Sequence, residues 1–346
     1  MNMLGFYINK SCNLRCKYCF IGKNEVTQPE GVLPLDVYKK IVDWFSVGDF
    51  YMQPMLAFCG EEPTLHWGSV VSFMEYAREK VPKVNLAMTT NGTLLTEDMV
   101  KFLATMNSEL LISCDGVEHN NYRVFPGGGP SLDRVVESIK LAVEYKLRLT
   151  VLCTMIPGAV SRLSETVEFF HGIGVRQVAL NKVVEGYIDY TEQDYIDLTR
   201  ERWKAAQYAD DVGLQLVFME KTCKDVQQQN RAARERYTCG ACYGSIGVDM
   251  HGDYYPCHRL IWYPEYKIGD YKIGVDPEKR EFWRSLDYEQ CHGCTVEGCS
   301  GCYVENLGCE GDLLKLPLAH CTMERIRNDV GKMLARRRGL LPSIDI

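Results

Sequence analysis

No stretch of the 346-residue sequence approaches the ~20 consecutive apolar residues that a membrane-spanning helix needs. The first residues carry neither the basic segment nor the long apolar run of an export signal. Positive charge is not in excess either: the formal net charge is −7, so the broad basic face required for sequence-independent nucleic-acid binding is missing. Neither a membrane nor a nucleic acid is an expected partner. Without an export signal the 16 cysteines do not read as a disulfide framework, which belongs to small secreted chains. They read as metal ligands in a reducing, cytoplasmic setting. One scarcity is local: Cys12, Cys16 and Cys19, spaced Cys-x3-Cys-x2-Cys, have no fourth cysteine close by. A four-iron cluster takes four thiolates, so three leave one iron open to hold a small molecule, as a catalytic zinc keeps one position open. A zinc knuckle or a coincidence of spacing is the bland alternative.

What is present is ordinary for a globular chain, with 46% hydrophobic and 25% charged residues, and long enough for a barrel-sized core plus a smaller module. From residue 4 to about 182 short apolar runs alternate with amphipathic segments, the pattern of βα units on a parallel sheet. Strands are predicted near 4–10, 55–58, 84–89, 109–114, 148–155 and 176–182, with helices near 34–47, 67–80, 96–105, 132–146 and 160–173. Thr191, three residues before Asp194, predicts an N-cap opening a helix through about 209. Residues 210–236 are expected to form a bridging strand and helix. From Cys239 onward nine cysteines fall within 83 residues, and too little apolar sequence remains for a self-sufficient core. Bound metal is expected to supply much of the folding energy there. The expected division is therefore 1–210 for a partial barrel, 211–238 for a bridge and 239–346 for a metal-held module with a C-terminal helix. The basic run Arg325, Arg327, Lys332, Arg336, Arg337 and Arg338 on that helix reads as a solvated helix end, with an acidic-peptide docking site as the rival. Cys114 and Cys153, inside apolar strands, read as small buried hydrophobes.

The cysteine triad together with Phe58-Cys-Gly60-Glu61-Glu62-Pro63 resembles the radical S-adenosylmethionine (SAM) superfamily, whose Gly-Gly-Glu-Pro loop binds the methionine amino group. Glu61 stands where that loop usually has glycine. Thr89-Thr-Asn91-Gly-Thr-Leu-Leu95 and Ile112-Ser113-Cys-Asp-Gly116, with Arg123 and the glycine loop ending at Ser131, resemble the peptide- and protein-modifying branch of the superfamily. The resemblance implies that Ser113 and Arg134 contact the SAM carboxylate and ribose, and that Gly60, Glu61, Glu62, Pro63 and Asn91 lie at the cofactor. Tyr18 and Phe20, beside Cys19, are placed to shield the cluster or stack on an adenine, with plain packing an equal account of Phe20. The C-terminal cysteines resemble a SPASM extension, which holds auxiliary [4Fe–4S] clusters. By that resemblance Cys239, Cys242, Cys257 and Cys302 hold one cluster, and Cys291, Cys294, Cys299 and Cys321 the other. Cys309 is a competing ligand, and two four-cysteine zinc sites are the competing chemistry. His258 follows Cys257 where sulfatase-maturing relatives carry an aspartate used as a base. It is a candidate catalytic base or a hydrogen-bond donor to a cluster sulfur, and both stay open.

The expected fold is α/β, a partial (β/α)6 TIM-like barrel followed by a small iron–sulfur module. The expected enzyme is a radical SAM oxidoreductase with three [4Fe–4S] clusters, one binding SAM and two auxiliary. It would use a 5′-deoxyadenosyl radical to install an intramolecular carbon–carbon or thioether cross-link in a ribosomally made precursor peptide. A flavodoxin- or ferredoxin-type reductant is implied. Because the first predicted strand starts at residue 4, leader recognition is expected to fall to the barrel, the extension or a separate protein. The runner-up is an anaerobic sulfatase-maturing, formylglycine-forming enzyme. A non-catalytic iron–sulfur carrier or zinc scaffold is the alternative of another class.

Overall fold

The computed structural model describes residues 2–19, 31–48, 50, 52–183, 189–227, 239–297 and 299–342, with only the backbone of 218 and 225–227. The first half of the chain runs β1 (Met3–Tyr7), α1 (Leu35–Ser46), β2 (Met55–Cys59), α2 (Trp67–Lys80), β3 (Asn85–Thr90), α3 (Glu97–Thr105), β4 (Glu109–Ser113), α4 (His119–Tyr122) and α5 (Leu132–Glu144). It continues through β5 (Arg148–Met155), α6 (Leu163–Gly172), β6 (Gln177–Lys182), α7 (Glu192–Val212), β7 (Gln215–Leu216) and α8 (Val217–Gln227). The remainder holds β8 (Ser245–Val248), β9 (Asp253–Tyr255), β10 (Gly269–Asp270), β11 (Gly274–Val275), α9 (Pro277–Ser285), α10 (Tyr303–Glu310) and α11 (Leu318–Arg337). The expected class, α/β with a partial barrel-like parallel sheet and a cysteine-rich C-terminal region, is the class observed. All six predicted strands form within two or three residues of their expected limits. The bridge contains the expected strand and helix, β7 and α8, and its residues 228–238 lie outside the described residues.

Two compact units divide the chain, and neither is continuous in sequence. The first comprises Met1–Ser113, Arg123–Thr150 and Gly240–Leu286. Its strands are ordered β11-β10-β9-β8-β1-β2-β3-β4, parallel from β8 to β4 and antiparallel from β8 to β11. Parallel strands covered on both faces read as near-continuous apolar runs, and β1 (Met-Leu-Gly-Phe-Tyr) is such a run with Leu4 and Phe6 wholly buried. The core is aromatic: Tyr38 stacks on Phe73 at 4.3 Å and meets Phe6 at 5.0 Å, and its hydroxyl donates to Phe73 O at 2.9 Å, so burial leaves no polar atom unmatched there. Residues 245–268 extend this sheet and bury Ile246, Val248, Tyr254, Leu260 and Ile268. The apolar core that this cysteine-rich region lacks by itself comes from β1 and its neighbours, so metal is not the only source of its folding energy.

The second unit comprises Cys114–Tyr122, Val151–Cys239 and Asp287–Ile346. Here β5, β6 and β7 pair in parallel, and α11 packs on α7 and α8. Cys114 and Cys153 are buried as small hydrophobes. Of the basic run on α11, Arg337 pairs with Asp210 and Asp211, and Arg327 pairs with Glu324. Arg338, just past the helix end, bonds Asp210 and Glu220. Arg337 and Arg338, at the helix end, are partly exposed, whereas Arg327 is buried within the helix and departs from the solvated-end reading. Among the described residues no helix is long and apolar enough to cross a membrane.

The capping box at Thr191 is present with both halves formed: Thr191 Oγ1 accepts from Asp194 N at 3.2 Å, and Asp194 Oδ2 accepts from Thr191 N at 2.8 Å. Asp194 also accepts from Gly158 N at 2.7 Å, tying the loop after β5 to the start of α7. Thr191→Ala should therefore cost about 1 kcal/mol, and Asp194→Ala about 2–3 kcal/mol because it also orphans Gly158 N. Urea denaturation followed by tryptophan fluorescence checks the order; equal costs would show that the Gly158 tie contributes nothing.

Candidate active site

β1, β2 and β3 are parallel and in register, Tyr7 beside Cys59 and Phe58 beside Met88, so the loops that follow them leave from one edge of the sheet. The loop after β1 carries Cys12, Cys16 and Cys19, all three partly exposed. Buried Leu14 anchors it, and its N–H donates to Cys12 Sγ at 3.4 Å. Cys19 N donates to Cys16 O at 3.1 Å, closing the turn that carries the last two thiols. Arg123 brings a guanidinium nitrogen to 4.0 Å from Cys16 Sγ and lays its charged group over the Tyr18 ring at 5.2 Å.

The loop after β2 lies against the first. A Cβ on Gly60 would stand 2.3 Å from Asn9 Oδ1, so only glycine permits the approach. Asn9 Nδ2 donates to Glu62 O at 2.9 Å, and Glu61 N donates to Asn9 O at 3.4 Å. The Glu62 carboxylate is wholly buried and both of its oxygens are hydrogen-bonded. One oxygen accepts from Thr64 N (3.1 Å), Thr64 Oγ1 (2.5 Å) and Thr90 Oγ1 (2.6 Å), and the other from Asn91 N (2.7 Å). Burial pushes its carboxyl above the usual range, and these four donors pull the other way. Asn91 then reaches the thiol loop: its Nδ2 donates to Asn13 Oδ1 at 2.9 Å and lies 3.9 Å from Cys12 Sγ. Pro63 opens a short 3-10 turn, Pro63–His66, capped by Glu62.

These contacts gather Cys12, Cys16, Cys19, Tyr18, Gly60, Glu61, Glu62, Pro63 and Asn91. Ser113 ends β4 at the same edge, next to β3. Arg134, in the first turn of α5, faces solvent and pairs with Glu137 at 2.9 Å. Phe20 lies outside the described residues. Asn13, Thr64 and Thr93 were not singled out by the sequence, although Asn13 sits between two of the cysteines. Arg123 carried a motif match but no role, and it is the arginine beside a thiol.

The donor set fits a cluster. Burial first, then Glu62 and the neighbouring thiols, push the Cys12 thiol up to about 12, so thiolate at this position requires positive charge of the kind that bound iron supplies. Around the same mouth Tyr7 OH, Asn9 Oδ1, Ser11 Oγ and Trp262 Nε1 are buried with no hydrogen-bond partner among the described residues. Orphaned polar atoms clustered beside open thiols mark a site shaped for a polar ligand. Among the described residues no three His, Cys, Asp or Glu side chains converge on a single-ion position.

In the first unit Cys242 N donates to Ser245 O (3.0 Å) and Pro256 O (3.3 Å), and Cys257 Sγ accepts from Arg259 N at 3.2 Å. A Cβ on Gly247 would fall 2.5 Å from His258 N, so β8 approaches the Cys257-His258 backbone too closely for any other residue. His258 is exposed, with its Cβ lying 3.6 Å from where a Cβ on Gly5 of β1 would stand. The surrounding protein, then Arg259, lowers its imidazole to about 4.

In the second unit Cys291, Cys294, Cys299 and Cys321 line one cavity of about 500 Å3 together with Glu324 and Arg325. Burial raises the Cys291 thiol, followed by Cys294 and Cys321. Cys299 is pushed up to about 12 by burial, then Glu324, with Arg327 opposing. Cys239 and Cys302 lie close enough to Tyr288 to act on its hydroxyl, which burial and Tyr303 also raise. Cys309 sits in α10.

Residues 6–170 match the radical SAM superfamily model. The cysteine-type anaerobic sulfatase-maturating enzyme of Clostridium novyi (strain NT) is 24% identical over 314 residues, covering 81% of this chain and 77% of that one. Among solved structures, anSMEcpe with bound AdoMet superposes with a TM-score of 0.79 at 18% identity, over 99% of this chain and 96% of that one. Streptococcus suis SuiB bound to precursor peptide SuiA gives 0.68 at 19%, over 92% and 75%. The family implies a [4Fe–4S] cluster and SAM as cofactors. Residues 6–170 are therefore a radical SAM domain, and the similarity of the chain to sulfatase-maturating enzymes supports the SPASM-type branch.

Proposed function

We propose that the chain is a peptide maturase that takes a hydrogen atom from a ribosomally made peptide and closes an intramolecular cross-link, carbon–carbon or thioether. The observation that carries this reading is the three-loop site in which Cys12, Cys16 and Cys19 face a pinned Gly60–Pro63 segment, on a chain with His258 in place of the sulfatase-maturase aspartate. SAM and the cluster, when bound, supply the 5′-deoxyadenosyl radical for hydrogen abstraction. Cys12, Cys16 and Cys19 hold the cluster iron. The backbone of Gly60, Glu61 and Pro63 receives the methionine amino group, Glu62 and Asn91 keep that backbone fixed, and Tyr18 screens the site beside Arg123. Phe20 is assigned to the same screen. Ser113 and Arg134 take the SAM carboxylate and ribose. For Arg134 this means leaving Glu137, an exposed i,i+3 pair of the kind worth only about 0.3–0.5 kcal/mol.

Cys239, Cys242, Cys257 and Cys302, and separately Cys291, Cys294, Cys299 and Cys321, hold two auxiliary clusters that pass electrons onward. The reductant of the cluster held by Cys12, Cys16 and Cys19 is a flavodoxin- or ferredoxin-type protein, and leader recognition falls to the chain itself or to a separate protein. The precursor peptide bound to SuiB is the nearest support for the substrate class. Formylglycine formation is the second reading, favoured by the extent of the match to the sulfatase-maturating enzyme of Clostridium novyi. It requires a base at the reacting thiol or hydroxyl, and His258 stands at the position of the missing aspartate.

Anaerobic reconstitution should give about eleven or twelve irons per chain. Replacing Cys12, Cys16 and Cys19 together by alanine should remove about four and abolish SAM cleavage. About four irons with stoichiometric zinc would overturn the auxiliary clusters. Arg134→Ala should weaken SAM binding by about 1.5–3 kcal/mol with iron unchanged; unaltered affinity, read by equilibrium dialysis, returns Arg134 to its surface pair. Given a precursor peptide, the reduced enzyme should form 5′-deoxyadenosine and a product about 2 Da lighter with a fragmentation gap between two residues. A Cys-x-Pro-x-Arg sulfatase peptide should come through unchanged. An aldehyde on that peptide would promote the second reading.

A further inference from the structure

Outside the three-loop site the second unit contains a buried polar relay that ends on a cysteine. Glu305 in α10 and His320 in α11 are almost fully buried, with relative exposures of 2% each. Lys182, the last residue of β6, reaches both: its Nζ bonds Glu305 Oε1 and lies 2.9 Å from His320 Nδ1. His320 Nε2 faces Cys299 Sγ at 3.8 Å. Glu305 Oε2 is 3.1 Å from His320 Nδ1, so this one nitrogen has two rival neighbours.

Which rival prevails decides what Cys299 meets. Two nitrogens 2.9 Å apart require one to donate to the other, and an ammonium has donors only. Lys182 therefore donates, His320 Nδ1 accepts, and the ring proton sits on Nε2, directed at the sulfur. Without the lysine, Glu305 Oε2 would draw the proton to Nδ1, and Nε2 would face Cys299 with a lone pair.

We propose that His320 is a positioning residue for the thiol set Cys291, Cys294, Cys299 and Cys321: its Nε2–H, held in place by Lys182, donates to Cys299 Sγ and raises the reduction potential of the cluster bound there. The inference rests on reading these four cysteines as cluster ligands. A reduced cluster carries one more negative charge than an oxidised one, so a donor to its sulfur stabilises the reduced form more. A raised potential suits a centre that accepts an electron over one that delivers it. Lys182 acts without touching the sulfur, solely by fixing the tautomer.

The test is a potentiometric titration of the reconstituted full-length enzyme followed by electron paramagnetic resonance, on the reduction wave that Cys291→Ser displaces. His320→Leu and Lys182→Met should each lower the reduction equilibrium constant about tenfold, ~59 mV for a one-electron couple, with iron content unchanged. His320→Gln, whose amide nitrogen replaces Nε2, should recover most of the loss. With 15N-labelled histidine, electron–nuclear double resonance should show a histidine nitrogen and an exchangeable proton coupled to the reduced cluster in the wild type. Lys182→Met should lose that proton, which a mere loss of charge would leave in place. Equal potentials in all variants, or a proton retained without Lys182, overturn the proposal while the cluster stands. If Cys291→Ser changes neither iron content nor any wave, the cluster reading fails and the inference falls with it.

Discussion

The buried carboxylate of Glu62 is the interaction on which the site's geometry depends. An ionised carboxylate out of water is tolerable only when its oxygens are hydrogen-bonded, and Glu62 accepts four such bonds from Thr64, Thr90 and Asn91. Those donors belong to the loops after β2 and β3. Through Asn91 to Asn13, and through Asn9 to Glu62 O, the loop after β1 is drawn into the same network. Three loops that would otherwise move separately thus share one anchor, and the thiols of Cys12, Cys16 and Cys19 keep a fixed edge of backbone opposite them. Glu62 contributes by holding the loops around the Gly60–Pro63 backbone, with three of its four hydrogen bonds on one carboxylate oxygen.

Electrostatics divides the work between protein and metal. The protein buries Cys12, Cys59 and Cys299 enough to push each thiol up to about 12, which alone would leave them protonated near neutral pH. At Cys12 the cluster iron that the family implies would reverse that preference, because the cation compensates the charge that burial penalises. Arg123 beside Cys16 and Arg327 near Cys299 supply a smaller part of the compensation from the chain itself. Cys59 differs in having its thiol donate to Phe6 O at 3.2 Å, a protonated sulfur satisfied by backbone. Burial by itself thus disfavours the thiolate at all three positions, and at Cys59 the backbone carbonyl accepts a hydrogen bond from the proton that remains.

Local patterns make much of this legible in the amino-acid sequence itself. Alternating apolar runs locate the strands, Thr191 and Asp194 announce a capping box that forms in full, and Cys114 and Cys153 are as buried as their apolar neighbours imply. The thiol triad and the Gly60–Pro63 loop are short-range motifs, and the fold brings them together because their strands are adjacent. What the sequence hides depends on long-range placement. Arg123 and Arg134 look alike on paper, but the chain turns one toward Cys16 and leaves the other on the solvent face of α5. Lys182, Glu305 and His320 are separated by 123 and 138 residues from lysine to its partners, and no periodicity or spacing connects them.

The same distinction explains why composition misjudges the region after Cys239. Counted alone, it has too few apolar residues for a core, and metal looks like the main stabiliser. Its first strand, β8, instead pairs in parallel with β1, from Met3 beside Ser245 to Phe6 beside Val248. Ile246 and Val248 pair with Leu4 and Phe6, 242 positions earlier, and enter their core, and Gly247 lets the Cys257-His258 backbone close over the strand. Cys242 and Cys257 are consequently delivered by a hydrogen-bonded sheet edge. A thiol pair held this way is preorganised by the sheet, so the metal binding proposed there would not also have to bear the entropy of ordering the chain.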